Sequence, residues 1–135
     1  MFDKIKASYY LVKGTNKLAE NNDIEALEYF NKAKSFESEY DIYIHKGYAE
    51  FNLYEFDSCI ISYQFALQMI KDNKKLNIDE KNYLRCYVLK DLIDAFNRLK
   101  LFNKIEEYHQ MYKDSIYDRK NISNRLLRNF PMTEK

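Results

Sequence analysis

Turn-forming residues are nearly missing from this chain: its 135 residues include two glycines, Gly14 and Gly47, and one proline, Pro131. Glycine and proline punctuate turns and strand ends, so their scarcity leaves little chemistry for tight β-turns and favours helices throughout. The same scarcity leaves no Gly-rich phosphate loop and no dinucleotide fingerprint, and there is no Ser-His-Asp or Cys-His grouping. Cysteine is scarce too. Cys59 and Cys86 lack C-x-x-C spacing and sit in helical apolar patterns, which reads as two small buried thiols suited to a reducing cytoplasm. His45 and His109 stand alone, without ligand partners at helical spacing, so no metal site is expected.

A charge excess is also absent. The formal net charge is +1, far from the basic balance expected where phosphate neutralisation drives binding. No stretch approaches the ~20 apolar residues that span a bilayer, and the first residues lack the apolar core of a signal peptide. The expectation is a cytoplasmic protein with no membrane partner, and the charge balance argues for neither a membrane surface nor nucleic acid.

What is present has a globular balance, 46% apolar and 32% charged, in a chain long enough for one domain. Tyr10, Leu11, Gly14 and Leu18 share one face of a helix over about 3–19. Asn21-Asn22-Asp23 ends it and caps a second helix running to about 37, whose inner stripe is Leu27, Phe30 and Ala33. A third helix over about 41–52 and a fourth over about 56–71 repeat this layout. Tyr10 and Tyr43, Lys13 and Lys46, Gly14 and Gly47, Ala26 and Cys59, Phe30 and Tyr63, and Ala33 and Ala66 are each 33 residues apart. A constant offset of this size indicates stacked helical hairpins.

Small residues at Gly14 and Ala26, with a ring at Phe30, and again at Gly47 and Cys59, with a ring at Tyr63, resemble the tetratricopeptide repeat family. In that pattern, helices approach closely over small residues and a ring fills the space beyond. The chain departs from the pattern at Lys13 and Lys46, which replace a leucine, at Lys17 and Glu50, which replace a tyrosine, and in lacking a closing proline. A third unit follows 81 residues after the first: Leu92, Ala95, Leu99, Ile105, Tyr108 and Met111 match Leu11, Gly14, Leu18, Ile24, Leu27 and Phe30. It carries Glu107 where the family places a small residue. Asp79 is expected to cap a long fifth helix. Leu126, Leu127 and Phe130 mark a last helix covering the end of the stack.

The fold implied by the resemblance is all-α, a right-handed antiparallel helical-hairpin solenoid. It has hairpins at about 3–37, 41–71 and 79–118 and a capping helix at about 120–130, together one domain over 1–130, then a flexible tail at 131–135. The resemblance also implies a concave groove lined by the first helix of each hairpin. Its candidates here are Leu11, Thr15, Asp41, Ile44, Tyr48, Asn52, Leu92 and Phe96. Where some family members clamp a peptide carboxylate, this chain has Leu11, Thr15, His45, Leu89 and Ile93, which argues against that ligand. The expected function is therefore protein or peptide binding without enzymatic activity, cofactor or metal, as an adaptor, a secretion-type chaperone or an immunity-type protein. Two alternatives stand beside it. One is a nucleic-acid-binding or regulatory helical-repeat protein using Arg119, Lys120, Arg125 and Arg128 with Tyr117 for stacking; the other is a self-assembling structural protein, with a homodimer closing the apolar ends.

Overall fold

The computed structural model describes residues 2–132 and is all-helical, with no strand among the described residues. Among the described residues seven α-helices follow in order: α1 Phe2–Ala19, α2 Asp23–Phe36, α3 Tyr40–Asn52, α4 Phe56–Asp72, α5 Ile78–Arg98, α6 Phe102–Asp114 and α7 Asn124–Asn129, with a 3-10 turn at Arg119–Asn121 before the last. The chain gathers into two compact units, one ending at Ala66 and the other beginning at Leu67. Of the tail expected at 131–135, residues 133–135 lie outside the described residues.

In the first unit, α1 packs on α2 and touches α3, and α2 packs on α3. The helices start where their sequences allow capping: Asn22 accepts a bond from the Glu25 amide at 3.2 Å, and Asp23 and Glu25 place carboxylates in the first turn of α2, where the helix dipole favours them. One group of core side chains joins Ala7, Ala33 and Ile42 with Tyr10, Leu11 and Phe36. A second joins Ala26, Phe30 and Ala49 with Leu11, Leu18 and Leu27. The two glycines sit against rings. A Cβ on Gly47 would stand 2.6 Å from Cε1 of Tyr63, and one on Gly14 would run into the ring of Phe30. Both rings are fully buried, worth about 1.5–3 kcal/mol each.

The turns repeat as well. Asn21, Tyr54 and Lys100 all adopt left-handed backbone, with φ of 60°, 61° and 59°. After each, the next amide reaches back to close the same helix end: Asn22 to the Lys17 carbonyl at 2.8 Å, Glu55 to Glu50 at 2.9 Å and Leu101 to Phe96 at 2.9 Å. This is the 6→1 bond of a Schellman cap. The first two left-handed residues are 33 apart, in step with the sequence repeat; the third follows at 46.

In the second unit, the expected cap at Asp79 is corrected. Asn77 caps α5 instead: its side chain accepts from the Glu80 amide at 2.8 Å, while Glu80 accepts from the Asn77 amide at 3.1 Å. This reciprocal capping box places Asp79 in the first turn, where its carboxylate accepts from the Asp118 amide at 2.9 Å and the Asn121 side chain at 2.7 Å. Those bonds hold the Asp79 carboxyl below its usual range. Asn77 and Glu80 also bond Asn121 and Ser123, so the start of α5 fastens the segment leading to α7. Phe130 is buried against the edge of the Tyr87 ring, and its carbonyl accepts from the Tyr83 hydroxyl. The expected capping helix at about 120–130 is thus a 3-10 turn followed by a six-residue α7.

The third hairpin follows its expected register only in part. Leu92 and Ala95 are fully buried, as the offset of 81 requires, but the turn at Lys100 comes five residues after Ala95, whereas Asn21 and Tyr54 come seven after their glycines. Past this shortened turn, α6 buries no residue fully and Glu107 is exposed. The contact of Tyr108 with Phe96, centroids 4.9 Å apart, joins α6 to α5.

Replacing Gly47 with leucine is expected to cost about 1–3 kcal/mol by forcing α3 from the Tyr63 ring. Urea unfolding measures it, and an unchanged midpoint would show that the glycine is not under close packing.

Candidate binding surfaces

The eight groove candidates separate by exposure. Ile44 and Leu92 are fully buried and Phe96 is 2% exposed, so these three are core rather than contact residues: apolar side chains on a helix packed on several sides are taken up by the packing. Leu11 is half-buried and belongs to both core groups of the first unit. Thr15 is half-buried on α1, its hydroxyl donating to the Val12 carbonyl at 2.9 Å. Asp41 is half-buried and accepts from the Ile42 amide at 2.9 Å. Tyr48 and Asn52 are exposed on α3, and Asn52 Nδ2 donates to Asp23 Oδ1 at 3.1 Å. The first unit therefore presents Tyr48 and Asn52 to solvent, with Thr15, Leu11 and Asp41 half-covered.

His45 lies parallel to Phe30, centroids 5.8 Å apart. Burial lowers its pKa from 6.5 to about 4, because the imidazolium loses hydration there. Lys46 and Glu50 form one network: Lys46 Nζ reaches Glu50 Oε2 at 2.5 Å, Ser62 donates to Glu50 Oε1 at 2.6 Å, and Lys46 Nζ also reaches Ser62 Oγ at 3.3 Å. Glu50 is only 3% exposed. A carboxylate so buried requires both partners, since an unpaired one would carry its full desolvation cost. In the first hairpin, Lys17 occupies the position equivalent to Glu50 and pairs outward with Glu25 at 3.1 Å and Glu20 at 3.7 Å, and its pKa rises because the Glu25 carboxylate bonds to the ammonium.

Over the network lies a cleft of about 120 Å³, lined by Lys34, Tyr43, Lys46, Ser58, Ile61, Ser62 and Phe65. Ile61 and Phe65 are exposed beside it. The second unit holds a shallow depression of about 270 Å³ lined by Lys90, Ile93, His109 and Tyr112. No cluster of three or more metal-ligating side chains occurs among the described residues, and no helix there is long and apolar enough to cross a membrane. Cys59 and Cys86 are buried and unbridged, and burial pushes the Cys86 thiol up.

The four basic residues near the end, Arg119, Lys120, Arg125 and Arg128, are exposed. Tyr117, expected beside them for stacking, stands edge-on to the Tyr83 ring at 5.2 Å. One surface went unnoticed in the sequence: Phe2, Ile5, Tyr9 and Val12, spaced three, four and three apart on α1, are all more than half exposed. Their periodicity was legible, but it runs beside the buried stripe of the same helix. No protein-family model matches the chain, and no curated protein or solved structure matches it either.

Between pH 6.5 and about 4 the unfolded chain binds a proton at His45 that the folded chain refuses, so stability is lost as pH falls through this window. We expect the unfolding free energy of His45→Phe, measured in urea, to fall less between pH 7 and pH 4.5 than that of the parent, by up to about 2.5 kcal/mol. Parallel pH profiles would mean that the His45 ring is solvated.

Proposed function

We propose that this chain is a tetratricopeptide-type helical-repeat module that binds a segment of a partner protein on the face formed by α1 and α3. The observation that carries this reading is the double repetition at 33 residues: a glycine under a buried ring and a left-handed hairpin turn, each occurring twice at that spacing. A solenoid of three hairpins with a terminal cap is the architecture this repetition favours, and such arrays serve as scaffolds. The contact residues of the first unit are Tyr48 and Asn52, with Thr15, Leu11 and Asp41 beside them. Tyrosine offers broad contact area at little entropy loss, and an amide side chain can bond an extended backbone. Ile44, being buried in α3, supports the face from within. Two unbridged thiols fit a cytoplasmic adaptor, secretion-type chaperone or immunity-type protein. We read no catalytic role.

The exposed α1 stripe favours a second reading, a homodimer closed through Phe2, Ile5, Tyr9 and Val12, because an apolar row of this length is costly to leave in water.

Tyr48→Glu should abolish capture of the partner from native lysate at high salt while leaving the circular dichroism spectrum and Tm unchanged; undiminished capture would remove α3 from the binding face. For self-association, light scattering of the parent should show a dimer, and Ile5→Lys with Tyr9→Lys a monomer. A parent that stays monomeric at high concentration would eliminate this second reading.

A further inference from the structure

The internal repeat allows one hairpin to be compared with the other, position by position. On the outer flank of the first hairpin, Tyr29 of α2 stacks on Tyr10 of α1, centroids 6.2 Å apart with planes at 22°, and Lys32 Nζ covers both rings at 5.5 and 5.6 Å. Thirty-three residues later the same places hold Ser62 for Tyr29, Tyr43 for Tyr10 and Phe65 for Lys32. Phe65 leans on Tyr43 at 5.5 Å, and Ser62 is a far smaller side chain than the Tyr29 it stands for. The cleft of about 120 Å³ opens there. It is far smaller than the ~300–1,000 Å³ of a small-molecule site, and close to the ~150 Å³ cavity that takes a benzene ring.

We propose that this α3–α4 cleft receives a single tyrosine side chain presented by a protein partner, in the manner that the first hairpin fills the same place with its own Tyr29. The walls suit an aromatic ring: Tyr43 and Phe65 offer faces and edges, Ile61 supplies apolar contact, and Lys34, whose ammonium stands 5.9 Å over the Tyr43 ring, repeats the cation cover of Lys32. The floor suits a phenol. Ser62 Oγ donates to Glu50 and accepts from Lys46, and a serine hydroxyl has a second lone pair with which to accept a phenol O–H. An aliphatic side chain would leave that acceptor unmet. The inference rests on the helical-repeat register of the first unit and not on the α1–α3 face.

The test is a titration of the full chain with N-acetyltyrosinamide, followed by amide chemical shifts, with N-acetylleucinamide as comparison. Saturating shifts centred on Tyr43, Ser58, Ser62 and Phe65 are expected with a dissociation constant in the millimolar range, at least fivefold weaker for the leucine compound. Ser62→Tyr, which places a ring where Tyr29 lies in the first hairpin, should abolish them. If that variant does not fold, Lys34→Ala and Phe65→Ala should each weaken binding at least threefold. Tyr48→Glu should leave the titration unchanged, so a failure of the α1–α3 face is read separately. Absent shifts at these positions, equal binding of the leucine compound, or shifts that survive these substitutions would overturn the proposal.

Discussion

The approach of paired helices over a missing Cβ is the constraint on which the first unit is built. Gly14 under Phe30 and Gly47 under Tyr63 let each first helix settle onto the ring of its second helix, and interiors packed to crystal density leave no room for even one added carbon. Once that contact is fixed, the other side chains of the pair are constrained in turn. Ala26 and Cys59 are small and completely buried, and the turn between the helices returns the chain seven residues after the glycine. Where the glycine is replaced by Ala95 and the turn is shortened, the second helix of the pair buries no residue fully.

From the same constraint follows the peculiarity of the second hairpin. With Glu50 buried, a cation and a hydroxyl have to reach its carboxylate, and Lys46 from one turn earlier and Ser62 from the facing helix do so. Such a network adds little net stability, because desolvation consumes most of the attraction. It does, however, require a serine where the first hairpin has Tyr29. The polar core and the open cleft above it are therefore one feature: the hydroxyl that satisfies Glu50 is attached to a side chain too small to fill the flank.

Much of this was legible in the sequence, and the failures have identifiable causes. Helix positions, the Asn22 cap and the glycine–ring pairs follow from periodicity and spacing, which are local properties. The cap of α5 was misplaced because Asn77 and Asp79 are both good N-cap residues; the deciding signal was Glu80, three residues after Asn77, which completes a capping box only from that start. Ile44, Leu92 and Phe96 were assigned to a binding face since first helices carry the groove in such arrays. Their chemistry pointed the other way: in a helix covered on several sides, the apolar positions are consumed by packing, and polar or amphipathic side chains such as Tyr48 and Asn52 remain outside. Nothing in the spacing announced the cleft, which depends on the volume of one residue compared with its counterpart 33 positions earlier.

The three hairpin turns carry this logic one step further. Left-handed backbone costs a residue with a Cβ roughly 1–2 kcal/mol, and glycine would remove that cost, yet the chain uses Asn21, Tyr54 and Lys100. Asparagine tolerates the conformation through its short polar side chain, but tyrosine and lysine do not share that advantage. They are held there by the reciprocal bonds of the cap, two amides after each helix returning to its last carbonyls, which satisfy groups that would otherwise lack partners. A conformation kept three times without its preferred residue is determined by the packing of the helices it joins. The hairpin, with its close helix pair and closed turn, is the unit that the sequence repeats, and the turn residue is left free to carry a side chain into solvent, as Tyr54 does at 73% exposure.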